Sequence, residues 1–386
     1  MIQVFLGTKA QYIKTAPVLR ALDARGVEYR LIDSGQHAAF AVGLRKELGI
    51  REPDVFLAQG TDVTRVGQAG LWALRLAGRL FRVQHLKQEV FGGRGGVCLV
   101  HGDTPSTLLA TLMAKRANLR VAHLEAGLRS YRLFHPFPEE LIRIVVMRLS
   151  DLLFAPDDQA VENLRRMRLR GKTIRLPGNT VVEALHRDLR RHGAASGSLN
   201  EPLPSGQGRD HQGGSELLVR GPVIVTMHRV ENLTRRGRIE QLVELLERLA
   251  PDHRICFVQH GPTIAALKKH GFDRRIEAAG VDQIELMPHD RFVTMLAAAP
   301  FVITDGGSIQ EECALLGVPT LLWRAATERG DGVGMNVVIG RYDPALIEGF
   351  MRAPESWRRP PAATSALPSD VVIEHILPFA DSPVAR

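Results

Sequence analysis

Residues 97–127 read VCLVHGDTPSTLLATLMAKRANLRVAHLEAG, and this stretch decides the fold. Two short apolar runs, 97–101 and 120–124, flank a segment, 107–117, whose apolar residues recur at helical spacing. Strand, helix and strand at this spacing form a βαβ unit, which makes the two strands parallel neighbours. Each strand runs straight into polar residues, His101-Gly102-Asp103-Thr104 after the first and Glu125-Ala126-Gly127 after the second. In open parallel sheets ligands bind just beyond the carboxyl ends of the strands, so those residues stand where chemistry belongs.

The same alternation extends in both directions. Strands are expected at 2–6, 29–33, 152–155 and 173–176, with an amphipathic helix over 12–25. Residues 193–221 are rich in Gly, Ser and Pro and lack apolar periodicity, which reads as a flexible connection. A second series of strands follows at 223–227, 255–259, 284–287, 302–304 and 320–323. The expected fold class is therefore α/β, with two Rossmann-like domains whose parallel sheets face across a cleft. The expected boundaries are a first domain over 1–192, a linker over 193–221, a second domain over 222–370 and a tail over 371–386. Within that tail, 371–379 reads as a short helix folding back on the body.

Composition narrows the function. At 386 residues the chain suits two domains of ordinary size. The three cysteines, Cys98, Cys256 and Cys313, lie far apart in or beside apolar runs, which fits buried reduced thiols. No metal motif is present, so no zinc is expected. Neither a signal peptide nor a long apolar span is read, so no membrane insertion is expected and the cytoplasm is the default location. The net charge of +8 is scattered arginine, and aromatic residues make up only 5%. That argues against nucleic acid and suits a small anionic ligand in a positive cleft.

Other polar clusters follow strands or open helices. Gly7-Thr8-Lys9-Ala10-Gln11 after the first strand is a tight turn into a helix start, where unpaired N–H groups and the charges of Lys9 and Lys14 suit an anion. Asp103 and Thr104 stand at a helix start, where one alternative is simple capping. Glu125, directly off an apolar strand, is costly for structure alone unless it pairs with Arg129. Glu139 and Glu140 open a helix after Pro136-Phe137-Pro138, where the dipole favours acidic residues. In the second half, His228-Arg229 ends a strand and suits a pyrophosphate. Asp305-Gly306-Gly307-Ser308 runs from a strand into a helix whose N–H groups suit phosphate, and Glu312 one turn on suits a ribose diol.

Taken together, HGDTPST (101–107), HLEAGLRS (123–130), PFPEELIR (136–143), PGNTVVEAL (177–185), HRVEN (228–232), DGGSIQEE (305–312) and TER (327–329) resemble the UDP-N-acetylglucosamine 2-epimerase family. The resemblance runs from Gly7 to about Gly340, nearly the whole chain, and implies the GT-B-like two-domain architecture. It implies elimination of UDP from a UDP-sugar and its re-addition through a 2-acetamidoglucal, with no cofactor. On the matching positions it implies that Asp103, Glu125 and Glu139 carry proton transfer and that His228 attends the departing phosphate. Lys9, Lys14, Arg129, Arg143, Arg229 and Arg329 are implied for the substrate's charged end, and Gly307, Ser308 and Glu312 for pyrophosphate and ribose. Gln36, His37 and His260 are implied as a regulatory UDP-sugar site. A homodimer, and a place in polysaccharide or glycolipid precursor synthesis, follow from the resemblance alone.

The departures from the family pattern are specific. GTKAQ stands for the usual GTRPE, PEELIR for PEExNR, DGGS for DSGG and HRVEN for HRREN. Lysine at position 9 keeps the charge but loses the bidentate fork of arginine. Three outcomes stay open: a non-hydrolysing epimerase, a hydrolysing one that releases free N-acetylmannosamine, and a GT-B glycosyltransferase or nucleotide-sugar-binding protein. Ser34-Gly35-Gln36-His37, similar to a segment tied to UDP-sugar regulation in non-hydrolysing members, favours the first. The carboxylate set argues against the third.

Overall fold

The structure is a computed structural model and describes residues 1–36, 38–58, 78–131, 138–195, 221–362 and 366–380. The chain divides into two compact units, Met1–Ala184 with Thr364–Arg386, and Leu185–Ala363. The division falls inside the helix Val181–Ala195, which occupies the start of the stretch expected to be a linker. The rest of that stretch, from residue 196 to 220, lies outside the described residues.

Among the described residues unit 1 carries seven parallel strands in the order β3-β2-β1-β4-β5-β6-β7. These are β1 Ile2–Leu6, β2 Tyr29–Asp33, β3 Val55–Phe56, β4 Val97–His101, β5 Arg120–Leu124, β6 Leu152–Ala155 and β7 Lys172–Arg175. Every residue of β1, β4 and β6 is buried, because helices cover both faces of a parallel sheet. Alternation along β1 sorts the two faces. Ile2, Val4 and Leu6 join one core cluster, while Phe5 joins another with Val100, Leu109 and Met113. Gln3, on the second face, is satisfied by donating to the Phe91 carbonyl at 3.0 Å.

Among the described residues unit 2 carries six parallel strands in the order β10-β9-β8-β11-β12-β13. They are β8 Val223–Thr226, β9 Ile255–Val258, β10 Asp282–Ile284, β11 Val302–Thr304, β12 Thr320–Leu322 and β13 Val337–Ile339. Among the described residues no helix is long and apolar enough to cross a membrane.

Two strands, β3 and β13, were not expected. Both are sheet edges of two or three residues, too short for a period to declare itself. The strand expected at 284–287 begins at Asp282 instead, and that at 173–176 begins at Lys172. The last helix is Pro368–Ile376, followed by a 3-10 turn, Leu377–Phe379. Its Val372, Ile373 and Ile376 sit in the same cluster as Val4 and Leu19, so the end of the chain belongs to unit 1. Between β3 and β4 the described residues form a 3-10 turn, Gly78–Phe81, a short α turn, Val83–His85, and a π turn, Leu86–Val90, with Leu86 and Val90 buried.

Both strand orders reverse direction once, between β1 and β4 in unit 1 and between β8 and β11 in unit 2. Such switch points open a crevice at the strand ends. The residues that leave those four strands are Gly7-Thr8-Lys9, Gly102-Asp103, His228-Arg229 and Asp305-Gly306.

Candidate functional site

In unit 1 the turns after β1 and β4 are pressed together. A side chain on Gly7 would drive its Cβ into Ser34 Oγ and to within 2.5 Å of Ser106 Oγ, so only glycine fits there. Thr8 caps the helix Lys9–Ala24 in a capping box with Gln11. The Gln11 amide also donates to the His101 carbonyl at 2.8 Å and to Thr107 Oγ1 at 2.9 Å, which ties the two turns together. The glutamine that departs from the GTRPE pattern is therefore a structural brace. Lys9 lies half-buried in the first turn of the helix, and Lys14 lies one turn deeper, buried.

Thr104, not Asp103, is the cap of the helix Pro105–Arg116. The Asp103 carboxylate is left for Arg143, with which it forms a close ion pair. Arg143 also reaches Glu140 at 2.9 Å, and Arg129 reaches the other Glu140 oxygen at 2.5 Å. The Ser130 N–H adds a third bond to Glu140 at 3.1 Å. Burial raises the Glu140 pKa, but these donors outweigh it and hold the carboxyl below its ordinary value. Arg129 therefore serves Glu140, and the alternative Glu125–Arg129 pair is not formed. Of the two glutamates that open the helix Glu139–Leu149, Glu140 is the one fully buried, while Glu139 is half-buried at the first position.

Glu125 is held by two side chains and faced by a third. Lys14 and Asn179 both bond its Oε1, and His101 Nε2 stands 3.6 Å from its Oε2. Its backbone is left-handed, with φ of +61°, which a side-chain-bearing residue adopts only when the surroundings enforce it. The bonds on either side do so: Leu124 O accepts from Gly102 N at 3.1 Å, and Ala126 N donates to Phe154 O at 3.0 Å. Behind it, burial pushes His123 down to about 4, so the ring is neutral near pH 7 and its Nε2–H donates to the Gly102 carbonyl at 2.8 Å. Gln36 lies in the same region, where Ser106 Oγ donates to its side-chain oxygen. His37 falls outside the described residues.

In unit 2 the organising group is Asp305, fully buried after β11. It accepts from the backbone N–H of His228 at 3.0 Å, that of Arg229 at 3.0 Å and the Asn232 amide at 2.8 Å. His228 Nδ1 stands 3.2 Å from the same carboxylate, and its ring is tilted against that of His260 at 5.1 Å. Burial lowers the His228 pKa, with Asp305 opposing. Gly306 makes room for this ring, since a Cβ there would lie 3.0 Å from His228 Cε1. The helix Gly307–Leu316 that follows has Gly306 as its N-cap, which carries no side chain to bond the first helical N–H groups, so those at Gly307 and Ser308 are suited to an anion. Arg229 donates from Nε to the Asp305 carbonyl at 2.9 Å and reaches Glu328 at 3.3 Å, and Arg329 pairs with Glu311 at 3.0 Å. Burial raises the Glu328 pKa, but Arg324 and Arg229 more than offset it and bring it to about 2. The site thus presents fixed positive and N–H groups around the β8 and β11 ends.

Glu312 is buried, with Oε1 accepting from His289 Nε2 at 2.9 Å. The other nitrogen of His289 is 3.2 Å from Asp188. Burial lowers the His289 pKa, but Glu312 and Asp188 overcome it and push it up to about 10. A histidine whose pKa is raised on folding binds its proton more tightly folded than unfolded, so its contribution is full below about 6.5 and fades as pH rises towards 10. Thermal melts of the wild type and His289→Asn should therefore differ most near pH 6 and converge as pH approaches 10. A gap that stays constant across that range would refute the charged form.

Sequence reasoning missed Glu140, Asn179, Asp305, Asp188 and His289 as partners. Asn179 and Asp305 lie inside recognised motifs and were within reach. His289 and Asp188 carry no motif, and 101 residues separate them.

The family model described as UDP-N-acetylglucosamine 2-epimerase matches residues 20–359. The UDP-N-acetylglucosamine 2-epimerase of Methanocaldococcus jannaschii is 29% identical over 371 residues, covering 93% of this chain and 94% of that protein. The protein of the same name from Bacillus subtilis is 29% identical over 343 residues, covering 86% and 80%. The crystal structure of the M. jannaschii enzyme in complex with UDP-GlcNAc and UDP superposes with a TM-score of 0.77 at 26% identity, covering 98% of this chain and 99% of that one.

Proposed function

The chain belongs to the UDP-N-acetylglucosamine 2-epimerase family, and from that premise we propose that it inverts C2 of a UDP-2-acetamido sugar without hydrolysing it. The chemistry starts from a difficulty. C2 has no adjacent carbonyl, so its proton cannot leave by enolisation. Departure of UDP supplies the way round. A base takes the C2 proton, the C2–H electron pair becomes the C1–C2 double bond, and the C1–O pair leaves with the β-phosphate of UDP. Return of that oxygen to C1, with a proton to the opposite face of C2, gives the epimer. Nothing is oxidised or reduced, and no water is consumed.

In this reading Asp103, Glu125 and Glu139 share the proton transfers and steer the glycal between them. Several carboxylates suit a reaction in which a proton leaves one face and returns to the other. The observation that carries the reading is the gathering of these groups in unit 1. Asp103 leaves β4, Glu125 leaves β5, and Arg143 ties Asp103 to the helix that Glu139 opens. His228, Arg229, Gly307 and Ser308 are assigned to the diphosphate, where N–H and cationic groups stabilise the leaving charge. Arg329 adds to that field, Glu312 is assigned to the ribose, and Lys9 in unit 1 is assigned to the substrate's charged end. The ligands of the M. jannaschii enzyme, UDP-GlcNAc and UDP, support a UDP-sugar as the substrate class.

The non-hydrolysing outcome is favoured by the Ser34-Gly35-Gln36 segment, in which the Gln36 side chain is braced by Ser106. Proton NMR with UDP-N-acetylglucosamine in heavy water tests the whole reading. Deuterium is expected at C2 of sugar still attached to UDP. Free N-acetylmannosamine with UDP would make the enzyme hydrolysing, and absence of both exchange and UDP release would reject this substrate.

A further inference from the structure

Three helices meet at His289, each through a residue of unit 2. The ring opens the helix His289–Ala298, Asp188 comes from Val181–Ala195, and Glu312 comes from Gly307–Leu316. All three side chains are nine-tenths or more buried. A neutral imidazole has one donor and one acceptor nitrogen, so with carboxylates at both nitrogens, 3.2 Å and 2.9 Å away, the ring is satisfied only as the doubly protonated cation. The cation therefore stands between two buried carboxylates, and removing it would cost both of them that counterion.

The cluster bears on ligand binding through the helix Gly307–Leu316. Its first turn offers Gly307 and Ser308 to an anion, and Glu312 lies five residues on, about 7.5 Å along the axis. Helical side chains lean towards the N-terminus, so Glu312 leans back towards that first turn. A nucleoside diphosphate places its ribose hydroxyls at a comparable remove from its phosphates. The His289 bond takes Oε1 of Glu312 and leaves Oε2 outside it.

We propose that His289 is a positioning residue, clamped by Asp188, that fixes the Glu312 carboxylate to receive the ribose hydroxyls of the nucleotide and so makes binding selective for ribose over deoxyribose. This rests on the reading of unit 2 as the nucleotide site. Pre-orienting the acceptor lowers the ordering cost of binding, and a hydroxyl that meets a buried acceptor is worth roughly tenfold in affinity.

Calorimetric titration of UDP and of 2′-deoxy-UDP into the full chain tests it. The wild type is expected to prefer UDP about tenfold. Two substitutions remove the imidazolium alike but differ in reach. The amide of His289→Gln extends to the Nε2 position and can still donate to Glu312, whereas that of His289→Asn extends only to the Nδ1 position, facing Asp188. The glutamine variant should keep most of the preference, and the asparagine variant should bring the ratio close to one. Glu312→Gln, nearly isosteric, should also lose it, and if one histidine variant fails to fold the other decides: a glutamine variant without the preference, or an asparagine variant that keeps it, overturns the proposal. A packing role for His289 would lower both affinities in both histidine variants and leave the ratio unmoved. That result, or a wild type that binds both nucleotides equally, overturns the proposal. A wild type that binds neither overturns the nucleotide assignment of unit 2 instead.

Discussion

Asparagine in place of Asp103 is expected to lower kcat for UDP-N-acetylglucosamine about a thousandfold, within the range that one general acid or base supplies. The amide of Asp103→Asn keeps the shape and can still accept a hydrogen bond from Arg143, so the fold should survive. Two features support that separation. Thr104 caps the following helix without help from Asp103. Arg143 retains its 2.9 Å bond to Glu140 when the first carboxylate is gone. The Asp103 side chain is 26% exposed, which leaves it open to substrate while anchored at one end. The check is steady-state turnover at saturating substrate beside a thermal melt. Turnover within tenfold of wild type would mean that Asp103 only anchors Arg143.

The second large effect is on stability. Glu140→Ala is expected to destabilise unit 1 by roughly 3–5 kcal/mol, because it leaves two guanidinium groups without their shared counterion. Glu140 has no exposed surface, and Arg143 and Arg129 are 5% and 12% exposed, so water cannot replace the lost carboxylate. Urea unfolding at pH 7 measures the loss. The sign with pH is fixed by the direction of the Glu140 shift. A carboxyl whose pKa is lowered on folding stabilises above its unfolded pKa, and that contribution disappears as pH falls through the folded value. The difference between wild type and variant should therefore shrink in acid. A loss below about 1 kcal/mol at pH 7 would mean that the cluster relaxes onto Asp103.

The adjacent residues Glu139 and Glu140 illustrate where legibility stopped. Both read as acidic residues at a helix start, and the resemblance singled out the first. Only the packing of the helix Glu139–Leu149 against the helix Pro105–Arg116 and β5 buries the second and exposes the first in part. Asp103 and Thr104 behaved alike, since either residue type can cap a helix. The backbone turn at Gly102 gave the cap to Thr104 and the carboxylate to Arg143.

The sequence by itself determined the two parallel α/β units and their principal strands. Strands buried on both faces must be written as continuous apolar runs, and residues 97–127 carry that pattern together with the polar strand ends. It determined, too, that the polar groups cluster after β1, β4, β5, β8 and β11. The tertiary structure decided which charges own one another: Lys14 with Glu125, Arg129 with Glu140, His289 with Asp188 and Glu312. Those pairs join residues up to 111 apart in the chain. A local pattern records burial and periodicity, because both act within one element. The partner of a buried charge is set by which elements pack together, and no single element records that.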